Sequence, residues 1–141
     1  MQPEQPAFHV PEYLQSRGVK VVPVPVYYPD VTEILGERVY RTLAAVPQPP
    51  QIDVVCVFRR PSDVAAHVPD ILAVRALCGV PACAHAASRA EGSHASTQAR
   101  PAAVWLQSGI RDDASAEVLA RAGIRVVQDR CMYVEHANAT R

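Results

Sequence analysis

The sequence predicts an α/β layer fold: a mainly parallel sheet with flanking helices. Three observations carry that reading. First, residues 103–136 run strand, loop, helix, strand and terminal loop, the strand–helix–strand unit from which parallel sheets are assembled. Second, residues 52–58 form a dense run of Val54, Val55, Val57 and Phe58, too β-branched and too short for a helix, and a capped helical pattern follows. Third, the chain opens on a helix that leads straight into another apolar run at 19–24. Alternation of this kind buries one face of each helix on a sheet.

Taken in order, the first helix carries Val10, Tyr13 and Leu14 on one face and closes at Gly18, with Pro11 expected in its first turn. A strand at 19–24 should lose regular pairing near Pro23, because proline donates nothing to a ladder. Tyr27, Tyr28 and Pro29 make a loop, and Asp30 or Thr32 is expected to start a short helical turn ended by Gly36. Val39, Tyr40 and the 43–46 stretch read as small packing elements ahead of a proline-rich turn. After the 52–58 strand, Ser62 or Asp63 caps a helix carrying Val64, Val68, Ile71 and Leu72, which Pro69 should kink or break. Residues 75–102 shift to Ala, Ser, His, Gly, Arg and Cys without apolar periodicity, and are expected to be a disordered insertion. A strand at 103–107 follows. Asp112 or Asp113 caps a helix with Ala114, Val118, Leu119 and Ala122 on its apolar face, Gly123 stops it, and 124–128 is the last strand.

Size and charge narrow the function. A chain of 141 residues is expected to form one compact domain, and it carries 14 basic residues against 14 acidic. That balance argues against nucleic acid or a charged membrane surface. No apolar run approaches the ~18 residues of a membrane span. A polar start without a signal region, and cysteines placed in and beside strands, point to a cytoplasmic, reducing location, an organelle remaining open. Ligands of open α/β sheets bind beyond the strands' carboxyl ends, where the polar turns of this chain lie. No Gly-x-Gly-x-x-Gly is present: the glycines at 18, 36, 79, 92, 109 and 123 are all isolated. Cys131 invites a nucleophile reading, yet no His–Asp partnership is legible and a structural thiol is commoner. Cys78, Cys83, His85 and His94 have spacing too wide for a zinc finger, so no metal site is expected. His136 reads as an exposed or capping histidine.

Four segments, "PAFHVPEYLQSRGVKVVPV" (6–24), "EILGERVYRTLAAVP" (33–47), "DVVCVFRRPSDVAAHVPDIL" (53–72) and the 103–136 stretch with "WLQSGI" and "DRCMYVEH", together resemble the CoA-binding domain family. These are the small stand-alone relatives of the N-terminal domain of the succinyl-CoA synthetase alpha subunit. The resemblance implies a Rossmann-like, mainly parallel sheet binding CoA at its carboxyl edge. It also implies a departure. The family's first strand and glycine-containing phosphate turn precede the segment beginning here at Pro6, so the first strand is read as missing, as in a truncated gene model or a divergent isoform. In strand order 3-2-1-4-5 that strand is central, and the 19–24 and 103–107 strands are expected to lose their common neighbour.

The resemblance implies CoA-contacting positions at three strand ends: Pro23 and Val24; Val57, Phe58 and Arg59; and Gln107, Ser108 and Gly109. Arg59 offers a planar fork to a phosphate or, equally, to a carboxylate, whereas Arg60 is expected to cap or face water. The implied function is binding of CoA or an acyl-CoA, non-catalytic by itself, with a small-molecule CoA thioester as partner, no nucleic acid, no membrane and room for a homodimer. Three alternatives stay open: an acyl-CoA ligase component, an NAD-type dinucleotide binder, and a ligand-free interaction protein. Against NAD, Pro23-Val24-Pro25 stands where an acid would take a ribose hydroxyl.

Overall fold

The computed structural model describes residues 5–47, 52–77 and 101–141. Residues 78–100 of the expected insertion, with Cys78, Cys83, His85 and His94, lie outside the described residues. Helix α1 (Pro6–Ser16) is followed by a hairpin, β1 (Glu33–Ile34) and β2 (Glu37–Arg38), and a 3-10 helix at Leu43–Ala45. Then come β3 (Val54–Val57), a 3-10 helix at Pro61–His67, α2 (Val68–Leu77), β4 (Ala103–Leu106), α3 (Asp113–Arg121), β5 (Arg125–Val127) and α4 (Met132–Ala139). The main sheet has three strands in the order β3-β4-β5. Both pairings are parallel, with Val55 opposite Val104 and Val104 opposite Val126. The fold is α/β and Rossmann-like, as the alternation of apolar runs and helices predicts.

Strand alternation divides the sheet's two faces. Val57, Val104 and Leu106 point to one side and build the core with Val64, Val68 and Ile71 from the helices after β3, and with Ile110, Leu119 and Ile124. Cys56, Trp105 and Gln107 occupy the other side, where the start of α4 lies: the Trp105 indole donates to the Arg130 carbonyl at 2.7 Å. Arg75 on α2 donates to the Pro101 carbonyl at 3.0 Å and so ties the helix to the entry of β4. A Cβ at residue 123 would come within 2.9 Å of an Arg75 nitrogen, and the backbone there has φ +79°, so Gly123 answers both demands.

Several sequence expectations are corrected. The 19–24 segment joins no ladder. Pro23 and Pro25 bring no N–H to one, and the Pro23 carbonyl is taken by the Tyr40 N–H at 3.0 Å. The strand expected beside a gap, β4, is instead central, with β3 and β5 on either side. Among the described residues β3 and β5 are the two edge strands, and on β3 Val54 is 42% exposed. One crossover returns the chain beside the strand it left, so β3 and β4 become neighbours. The helical turn expected between Asp30 and Gly36 is a hairpin, because Leu35 and Gly36 both adopt positive φ (54° and 74°), the combination a two-residue hairpin turn needs. Pro11 sits inside α1 rather than in its first turn, since the helix already starts at Pro6. On α3, Ser115 and Leu119 are buried while Ala114 and Val118 face outward, a rotation of the expected face. The stretch after β5, expected as a loop, is helix α4: Met, Glu and Ala favour helix there, but no side chain caps its start, so no boundary signal marks it. The break expected at Pro69 occurs, with a 3-10 helix before Val68 and an α-helix after it.

Candidate functional site

The carboxyl ends of β3, β4 and β5 lie side by side because the three strands are parallel and in register. At the end of β3, Val57 turns into the core and Arg59 emerges, held from three directions. Its Nε donates to His67 Nε2 at 3.2 Å, one Nη lies 3.3 Å from the Asp63 carboxylate, and its guanidinium covers the Tyr27 ring at 4.8 Å. Arg60 follows, 3.9 Å from the same carboxylate. Hydrogen bonding from Arg59 foremost, with the charges of both arginines, holds the Tyr27 phenol below its ordinary pKa. Tyr27 thereby carries the loop after Pro23 and Val24 to this edge. The Arg41 guanidinium braces that loop, donating to the carbonyls of Tyr28, Pro29 and Val31.

At the end of β4, Gln107 is only 4% exposed, and both ends of its amide are used. Nε2 donates to Cys56 Sγ at 2.9 Å, and Oε1 accepts from the Met132 N–H at 3.2 Å. Gln107 therefore clamps β3 and α4 onto β4. Burial pushes the Cys56 thiol up to about 11, so at neutral pH it is a protonated, weak nucleophile. Ser108 is exposed, and the Gly109 N–H donates to Asp129 Oδ1 at 2.6 Å.

An open cleft of about 530 Å³ lies between the ends of β4 and β5, lined among others by Ser108, Arg111, Asp129, Arg130, Cys131 and Glu135. Its arginines are paired, Arg111 with Asp113 at 3.0 Å and Arg130 with Glu135 at 3.1 Å. Gln128 accepts from the Asp112 N–H at 2.8 Å and donates to Asp113 at 3.0 Å. That bond, followed by Arg111, holds the Asp113 carboxyl below its usual range. Of the expected site residues, Ser108 lines this cleft, Arg59 joins the Tyr27 cluster, and Gln107 and Val57 are packed below the edge. Tyr27, Arg111, Arg130 and Cys131 were not among them. The aromatic pair after a proline-rich strand end was the available signal for Tyr27, and a terminus read as loop hid the wall that α4 supplies.

The family model described as a CoA binding domain matches residues 1–87 and 80–137. The chain belongs to the CoA-binding domain family. The two matched segments meet inside the composition-biased stretch. A Thermus thermophilus structure, cell-free ID.343, is 35% identical, covering 98% of this chain and 82% of its own, with a TM-score of 0.72. A hypothetical protein from Pyrococcus horikoshii OT3 shares the fold at 24% identity and TM-score 0.71, over 99% of this chain and 78% of that one. A conserved hypothetical protein from Pyrococcus furiosus does so at 22% identity and TM-score 0.58, over 88% and 81%. The protein is a CoA-binding domain on a Rossmann-like sheet. No helix among the described residues is long and apolar enough to cross a membrane.

Proposed function

We propose that this CoA-binding domain recognises CoA or an acyl-CoA along the carboxyl edge of its sheet and is non-catalytic by itself. The carrying observation is the edge itself: guanidiniums at the end of β3 and an open polar cleft at the ends of β4 and β5, within one ligand's reach. Adjacent strands are ~4.8 Å apart, so the two features are separated by about two strand widths, roughly 10 Å. The residues fit CoA at Tyr27, Arg59, Arg60 and Ser108, with the thioester end in the cleft. The non-catalytic reading draws support from the thiols. Cys56 is protonated and hydrogen-bonded to Gln107. A ligase component would need a partner domain or a nucleophile of its own, so thioester turnover abolished by Cys131→Ala would favour that rival.

The test is calorimetric titration of the chain with CoA, acetyl-CoA and NAD. CoA and acetyl-CoA should bind and NAD should not. Arg59→Gln should weaken CoA binding by about tenfold, because a neutral amide loses the charge-assisted contact to a phosphate. Unchanged affinity in that variant would place the site elsewhere.

A further inference from the structure

We propose that Cys56 and Cys131 form a redox-active dithiol, which a peroxide converts to a disulfide joining β3 to the start of α4. The inference is independent of the CoA reading and concerns the face of the sheet opposite the core.

The backbone on either side of Cys131 is tied to the residues that flank Cys56. The Arg130 carbonyl accepts from the Trp105 indole at 2.7 Å, and the Met132 N–H donates to Gln107 Oε1 at 3.2 Å. Trp105 stands directly opposite Cys56 in the parallel ladder, and Gln107 Nε2 donates to Cys56 Sγ at 2.9 Å. One tryptophan and one glutamine thus hold both cysteines against the same end of β4. Burial foremost raises the Cys56 thiol to about 11, and Cys131 adds to that through charge, so the two sulfurs lie within electrostatic reach. Both thiols are free and half-buried.

Their surroundings divide the labour. Cys131 lines the open cleft and meets an oxidant from solvent, whereas Cys56 is held by the buried Gln107 amide. With hydrogen peroxide, the Cys131 sulfur attacks one oxygen, the O–O bond breaks, and a sulfenic acid forms as water leaves. Cys56 then attacks that sulfur. Its proton departs with the sulfenic hydroxyl as a second water, and the S–S bond closes. The two thiols lose two electrons and the peroxide gains them. Cys56 is a weak nucleophile, and its fixed place beside the sulfenic sulfur offsets that weakness. A small thiol reverses the bond by exchange.

The reduced full chain, treated with equimolar hydrogen peroxide, alkylated and digested without reductant, tests the proposal by mass spectrometry. A peptide linking Cys56 to Cys131 should account for most of the oxidised chain, whose intact mass should fall by two hydrogens and return with dithiothreitol. Cys56→Ala should stop at the sulfenic acid on Cys131, which dimedone traps; thermal melting checks that this variant is folded. Wild-type mapping decides the matter even if it is not. Cys131 linked instead to Cys78 or Cys83, Cys131 overoxidised while Cys56 stays free, or both thiols left unreacted, overturns the dithiol.

Discussion

Gln107 shows how a residue can sit at the expected site and act beneath it. Position placed it at a strand end, but its amide bonds Cys56 and the Met132 backbone. Gln107→Ala leaves a partly buried N–H without a partner and should lower unfolding free energy by about 1–3 kcal/mol in chemical denaturation. A purely ligand-contacting residue would leave stability unchanged and reduce only affinity. Cys56 gives a pH signature. Its folded pKa is raised to about 11, so its contribution is fully present below the unfolded thiol's ordinary value. It should be lost as pH rises from about 8.5 towards 11, on the order of 2 kcal/mol. Denaturation curves across that window should show the loss in the wild-type chain and a shallower one in Cys56→Ala. A parallel decline in both would remove Cys56 from the account.

At the scale of elements, α4 is held by aromatic contacts across to α1. The Tyr13 and Tyr133 rings meet edge-on at 4.3 Å, and the Tyr13 hydroxyl hydrogen-bonds His136 Nδ1 at 3.2 Å. His136, expected to be exposed or capping, therefore works as a side-chain latch. Tyr133→Ala should cost about 1 kcal/mol and raise amide exchange selectively in Met132–Ala139, leaving β4 protected. Uniform acceleration across the sheet would mean that α4 is part of the cooperative core. The β1–β2 hairpin teaches the complementary lesson. Its turn rests on Leu35 at positive φ, which a leucine seldom adopts, and residue preference alone pointed to a helical turn instead.

For the molecule as a whole, stability resides in the face that β3 and β4 share with α2 and α3. Leu106 is 1% exposed at its centre. Leu106→Ala should cost about 2–5 kcal/mol, whereas Val118→Ala, on an outward position of α3, should change stability by less than about 0.5 kcal/mol. Urea midpoints of the two variants check this, and similar losses would restore the apolar face first read for α3. The sheet's second face is more polar, with Gln107 and the Trp105–Arg130 bond at its centre. Its contribution accordingly lies in fixing the carboxyl edge.

Sequence alone determined the order of strands and helices from β3 to β5, the break at Pro69 and the end of α3 at Gly123. It could do so because apolar periodicity, caps and glycines act within a few residues of one another. It also determined the family, through strand-end motifs kept in order along the chain. Only the tertiary structure decided that β4 is central, with β3 and β5 at the sheet's edges, because pairing partners are chosen across the chain. Only packing showed that 19–24 joins no ladder, and that Gln107 faces inward while Tyr27 meets Arg59. These outcomes depend on which buried groups find partners at a distance, and no local pattern encodes that.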